Sequence, residues 1–292
     1  TIDPTVEDMS AMTLTSSPAT VAVATPSRLI NGPLARLFVI EFGALMSFYL
    51  LLPVVPQYAM AAGAGGVGAG LATGALMLST VAAEFVTPRL LARFGYRAVL
   101  AVGVACLGVP VLALPASAGL PAVLTVCLLR GVGLGIIFVA CGALCAEVIP
   151  AERRGEGLGV LGIVTGVPAV VGMPLGLWLV GHVGYSVVFL IGTLTALSGL
   201  AVVSGLPGRR LAATTESLGV LAGFRTPALT RPALVFAATT VAAGAVCTFL
   251  PAALPHGAES LAVVALLAHS VAATAARWWA GRYGDRNGPA TL

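Results

Sequence analysis

Residues 120–149 read LPAVLTVCLLRGVGLGIIFVACGALCAEVI. Arg130 interrupts an apolar run that meets no further charge before Glu147. A helix needs about 20 apolar residues to cross the hydrocarbon core of a bilayer, and this stretch exceeds that. Seven similar stretches surround it, at 34–59, 66–91, 98–116, 158–180, 185–206, 233–253 and 261–280. Barrel strands would show as alternating segments of about ten residues, which these are not. Inside lipid every backbone group must find its partner within its own segment, and helices do this. The expected fold is all-α and membrane-integral, with eight spanning helices.

Composition agrees. Of 292 residues, 58% are hydrophobic and 9% charged, where a soluble domain carries roughly a quarter charged. No soluble core could hide that much apolar surface, so lipid is the expected solvent and partner. The chain has no lysine; its basic residues are all arginine. A net charge of +4 would hint at nucleic acid in a soluble protein. Arginine placement explains it better here, and no nucleic-acid partner is expected. Cys106, Cys127, Cys141, Cys145 and Cys247 fall inside apolar stretches without a CxxC pair, which reads as small buried hydrophobes. No metal and no cofactor are expected, since polar ligands are not seen near them. Nor is there a GxSxG, an HExxH or a phosphate-binding GxxxxGK[ST], so the chain does not read as an enzyme.

Residues 1–33 are rich in Ser, Thr, Pro and Ala. They lack a basic stretch followed by an apolar one, so they read as a disordered tail rather than a signal peptide. With that tail in the cytoplasm, the inside segments are 92–97, 150–157, 207–232 and 281–292. All arginines except Arg130 then lie in or beside inside segments, and the opposite loops carry none. The positive-inside rule requires this bias. The expectation is a multi-pass protein of a bacterial plasma membrane with a cytoplasmic N-terminus. Tyr58 and Tyr185 fall near the outer boundary, and Tyr96, Trp278, Trp279 and Tyr283 near the inner one, as headgroup-level aromatics. The expected organisation is a tail (1–33), a six-helix bundle (34–206), a cytoplasmic loop (207–232) and the start of a second bundle (233–292).

Two hairpins resemble each other. One reads Pro88-Arg-Leu-Leu-Ala92-Arg93-Phe94-Gly95-Tyr96-Arg97, the other Gly281-Arg-Tyr-Gly-Asp285-Arg286-Asn287-Gly288. Aligned, they are separated by the length of one six-helix half, and such internal repeats are a feature of secondary transporters. The chain resembles the major facilitator superfamily (MFS), whose signature G-x-x-x-D-R-x-G lies between helices 2 and 3 and recurs between helices 8 and 9. The second copy matches through Gly281, Asp285, Arg286 and Gly288; the first has Pro88 for Gly and Ala92 for Asp. The fourth helix, with Arg130, Gly131, Gly133 and Gly135, is similar to the family's Arg-x-x-x-Gly pattern in shifted form. The fifth, with Gly162, Gly166, Pro168, Gly172, Pro174 and Gly176, is similar to its Gly/Pro-rich antiporter motif with looser spacing.

The resemblance implies twelve helices in two bundles of six. Eight are expected here, a complete first half and two helices of the second, so the chain reads as truncated after the eighth. It also implies a secondary active transporter of small molecules, a proton-coupled exporter working by alternating access, with protons as coupling ion and an amphiphilic cargo. Uptake by symport, and a truncated membrane protein that does not transport, remain open. By the same resemblance Arg130 serves proton coupling, with carriage on helix carbonyls as the alternative. A charge at its depth costs at least a few kcal/mol unless it has a partner or a wet cavity. Glu41 is a candidate protonation or cation site on helix 1, or else reaches the surface from about 9 Å inside the helix start. The two are expected at different depths. Gly281, Asp285, Arg286, Gly288, Arg93, Gly95 and Arg97 are the expected cytoplasmic gating motif. Gly162, Gly166, Gly172 and Gly176, with Pro168 and Pro174, are an expected helix-5 hinge or a plain packing face. Glu84 is expected to partner Arg89 or Arg93, Glu147 is an acid for Arg93, and His269 is a neutral His bonded to backbone or a proton relay.

Overall fold

A computed structural model describes residues 32–117, 119–149, 154–206, 208, 227–254 and 259–287. Among them every regular element is helical: α1 (Gly32–Leu51), α2 (Val54–Ala59), α3 (Gly65–Gly108), α4 (Leu120–Val148), α5 (Arg154–Leu197), α6 (Leu200–Val203), α7 (Pro227–Ala253) and α8 (Glu259–Asn287). A π-turn (Met60–Ala64) links α2 to α3, and a 3₁₀ segment (Val109–Ala116) follows α3.

The hairpins are tighter than the sequence predicts. The expected loop at 92–97 shrinks to one residue, Gly95, which leaves the helix at φ 79° and ψ 167°. The expected loop at 181–184 likewise reduces to Gly184, at φ 75° and ψ 169°. An L side chain rarely adopts such a φ, so glycine permits each one-residue reversal. The second hairpin differs too: α8 runs on to Asn287, so Gly281, Asp285 and Arg286 lie on helical backbone rather than in a loop. Helix α7 begins at Pro227, inside the stretch 207–232 read as loop. Proline suits the first helical position, where its missing N–H would be unpaired anyway. Gly288 and most of the tail and loop lie outside the described residues.

Glycine contacts fix the chain directions. On α4, Gly131 and Gly135 abut Leu76 and Thr80 of α3, so α4 runs parallel to that first limb. Gly133 and Ile136 meet Leu107 and Gly103, so α4 runs antiparallel to the second limb beyond Gly95. Likewise Gly172 and Gly176 of α5 follow Tyr49, Leu50 and Val54 of α1 in parallel, while Gly192 and Gly199 meet Leu51 and Ile40 in reverse. Lipid tails are as apolar as leucine, so membrane helices associate through close backbone approach, and these small residues allow it. The result is an all-α membrane bundle of six segments (α1–α2, the two limbs of α3, α4, and the two limbs of α5 with α6), joined by α7 and α8.

The bundle has two distinct ends. At one, the Tyr58 hydroxyl donates to Leu114 O at 2.8 Å, and its ring meets Tyr185 and Phe189 edge-on, each 5.2 Å between centroids. At the other lie Arg36, Gly95, Arg97, Glu147 and the end of α6. There Arg36 Nη1 donates to Gly205 O at 2.6 Å and Arg97 Nη2 to Leu206 O at 2.8 Å. Cations suit the exposed carbonyls and negative dipole of a helix C-terminus.

Candidate functional site

Helix α4 carries Arg130 about 15 Å from its start at Leu120. The side chain is wholly enclosed, at 0% exposure. Its Nε donates to Leu107 O and its Nη2 to Ser47 O, both at 3.3 Å. Those carbonyls belong to the second limb of α3 and to α1, so one guanidinium ties three helices. Leu107 O can accept because α-helix gives way to 3₁₀ turn there, and the residue three on, Pro110, has no N–H. Nη1 has no hydrogen-bond partner, nor does the buried Ser47 Oγ. Both contacts are long for charge-assisted bonds. Beside Arg130 a small cleft is lined by Leu51, Val55, Ala72, Thr73, Leu76 and Cys127, with only Thr73 and Arg130 polar. The arrangement holds the guanidinium between α1, α3 and α4, with Nη1 unpartnered beside a mainly apolar cleft.

Glu41 is buried on α1, and its Oε2 lacks a hydrogen-bond partner. The surface-reaching alternative does not hold. Glu41 lies six residues, about 9 Å along α1, before Ser47, whose carbonyl Arg130 reaches. Glu41 and Arg130 therefore stand at different depths in the bundle.

The first signature copy works through backbone and aromatic contacts. Arg97 takes Leu206 O, and Arg93 lies 5.2 Å over the Phe94 ring. Glu147 accepts the Tyr96 hydroxyl at 2.7 Å, a pairing the sequence reading did not foresee. The Tyr96 ring, at the arginine end of the bundle, is buried against protein rather than exposed. Arg89 turns back to Phe85 O at 3.5 Å, so the expected Glu84 pairing is replaced by a contact within the helix. The side chains of Asp285, Arg286, Trp278 and Tyr283, and all of Gly288, lie outside the described residues. His269 is half-buried on α8.

The helix-5 glycines divide. A Cβ at Gly172 would come within 2.7 Å of Tyr49 Cβ, and one at Gly176 would collide with Leu50 O. Gly162 has nothing within 4 Å, and Gly166 only Thr274 Cγ2 at 3.9 Å. Pro168 and Pro174 are buried within the helix. Cys127, Cys141, Cys145 and Cys247 are buried and Cys106 half-buried. Sequence reasoning missed the hydroxyl contact between Thr73 and Thr248, Oγ1 to Oγ1 at 3.1 Å. It also missed the Thr193 bond to Gly108 O at 3.1 Å. A proline three residues after an apolar-helix carbonyl was the one available signal, and it marks Leu107.

A multi-pass helical bundle with close-packed glycine seams, an interior guanidinium and a sequence motif repeated at 88–97 and 281–288 defines a polytopic membrane protein of the transporter type. A family model described as the Major Facilitator Superfamily matches residues 37–292, and the chain belongs to that family. Two proteins described as uncharacterized MFS-type transporters are similar to it, from Mycobacterium tuberculosis strains CDC 1551 / Oshkosh and ATCC 25618 / H37Rv. Each is 43% identical over 74 residues, covering 25% of this chain and 11% of the relative. The matched part is thus a small share of the relatives' length.

Proposed function

We propose that the protein is a secondary active transporter that exports small amphiphilic molecules in exchange for protons, by alternating access. The observation that carries this reading is Arg130, wholly enclosed with an unpartnered Nη1. A guanidinium at helix-centre depth costs at least about 2.5 kcal/mol on insertion scales. The two carbonyl bonds are long and leave Nη1 unpartnered, which supports a role for this charge beyond holding the helices together. Arg130 tunes the energy of a proton site and donates to whatever anion enters the cleft. Glu41, buried with a free oxygen, is the proton carrier.

The remaining assignments follow from the same reading. Residues 1–33 form a tail, 34–206 the first bundle, 207–232 a central loop and 233–292 the start of the second bundle. The end bearing Arg36, Arg93 and Arg97 faces the cytoplasm of a bacterial cell, in keeping with the arginine bias. Gly281, Asp285, Arg286 and Gly288, with Arg93, Gly95 and Arg97, gate that end. Gly162 and Gly166 supply the free face of a helix-5 hinge, while Gly172 and Gly176 anchor it to α1. Export rather than uptake rests on the Gly/Pro pattern of that helix.

The test is proton-driven efflux from vesicles carrying the product of the complete gene. Arg130→Ala should fold yet lose proton dependence. Unaltered proton dependence in that variant would remove Arg130 from the mechanism.

A further inference from the structure

The guanidinium of Arg130 is enclosed without a counter-charge beside it. Its Nε and Nη2 donate to neutral carbonyls, Leu107 O and Ser47 O. The acids on the surrounding helices stand at other depths. Glu41 lies about 9 Å before Ser47 on α1, and Glu147 about 25 Å beyond Arg130 on α4. Gly131 abuts Leu76 of α3, and Glu84 comes about 12 Å after Leu76 on that limb. Two polar atoms at this level have no partner among the described residues: Arg130 Nη1 and the Ser47 hydroxyl, both on residues at 0% exposure. A buried cation is ordinarily paired, because otherwise it gives up its hydration with nothing in return.

The cleft beside Arg130 is sized for a very small partner. Its free volume is about 10 Å³, close to what one water-sized particle needs. Leu76 stands level with Arg130, whereas Ala72 and Thr73 on α3, Cys127 on α4, and Leu51 and Val55 beyond Ser47 stand nearer the Tyr58 end. The cleft therefore runs from the guanidinium toward that end. Besides Arg130, its side-chain donors are the Thr73 hydroxyl and the weak Cys127 thiol. The Thr73 hydroxyl can turn from Ala69 O, at 3.4 Å, toward an ion while Thr248 donates to its oxygen.

A water molecule would satisfy Nη1 but leave the charge uncompensated. A phosphate or other polyatomic anion needs more room and more donors than these walls supply. A single-atom monovalent anion meets both limits. We propose that Arg130 and Thr73 hold a halide ion of the chloride class, which enters from the Tyr58 end and supplies the missing counter-charge. The site deepens the part given to Arg130 in the transport reading and rests on its being a functional charge, but halide binding and proton dependence are read separately.

The experiment uses the complete protein, purified in halide-free gluconate buffer. Sodium chloride or bromide, exchanged for gluconate at constant ionic strength, should raise the thermal midpoint saturably, as a ligand specific to the folded state does. Radiolabelled chloride should bind and be displaced by bromide. Arg130→Met should abolish both signals, and Thr73→Val should weaken chloride binding several-fold. Thr73→Val removes no charge, so it decides the matter where Arg130→Met does not fold. Absence of saturable chloride binding in folded wild-type protein overturns the site, as does binding unchanged in folded Arg130→Met or in Thr73→Val. Acetate that raises the midpoint where chloride does not would assign the cleft to a carboxylate and overturn it too. Chloride binding in a protein whose efflux ignores protons supports the site and overturns the transport reading. Proton-driven efflux without chloride binding does the reverse.

Discussion

Replacing Gly133 by alanine tests whether α4 is held by backbone contact. The added Cβ would lie 2.5 Å from both Gly103 O and Leu107 N and 3.0 Å from Cys106 C. Favourable carbon contacts begin near 3.5 Å, so the clash is about 1 Å deep. All three atoms are backbone and cannot rotate away; α4 and the second limb of α3 must part. Overpacking of this kind costs about 1–3 kcal/mol, and even the low end shifts the folded-to-unfolded ratio roughly fivefold. Gly142 on the same helix has nothing within 4 Å, and its alanine variant should be neutral or gain up to about 1 kcal/mol of helix propensity. Thermal unfolding of the two purified variants in one detergent measures the difference. Equal midpoints would refute close backbone approach as the basis of α4 packing.

The same logic on α5 predicts that Gly176→Ala lowers the melting temperature while Gly162→Ala does not. Arg130→Met keeps length and removes charge; it should leave thermal stability within about 1 kcal/mol, because two 3.3 Å bonds are lost along with a desolvated charge. A large drop in midpoint would assign Arg130 to structure. Tyr96→Phe keeps a fully buried ring and deletes the donor to Glu147, costing about 1.5–3 kcal/mol in a melt. Cysteines placed at Arg97 and Arg210 should react with an impermeant reagent from the same side of the membrane; labelling from opposite sides would overturn the topology.

The spanning helices were legible because the bilayer sets a length that a run such as 120–149 either meets or does not. The hairpins were less so. A Phe-Gly-Tyr-Arg sequence looks like a loop, and only the backbone shows that Gly95 alone leaves the helix. Depth counting located Arg130 but not its partners, because carbonyls carry no sequence signature beyond the proline that follows Leu107. The same count left Glu41 undecided: 9 Å of depth fits both a buried and an exposed carboxyl, and neighbouring helices decide. Thr73 and Thr248 are 175 residues apart in the chain, and no periodicity joins them.

Ala92 shows how the two readings of the arginines combine. With alanine at that position, the first signature copy offers no acid of its own at the hairpin. Arg97 instead closes the exposed C-terminus of segment six through Leu206 O, and Arg36 from α1 takes the adjacent Gly205 O. Two arginines from different helices thus satisfy neighbouring carbonyls just beyond a third, α6. A charge on a helix terminus loses strength as salt screens it, but the hydrogen bonds themselves depend on geometry. Arg36 and Arg97 fasten α1, the second limb of α3 and the end of α6 together. Removing either guanidinium should therefore loosen that end even where the topology is unchanged.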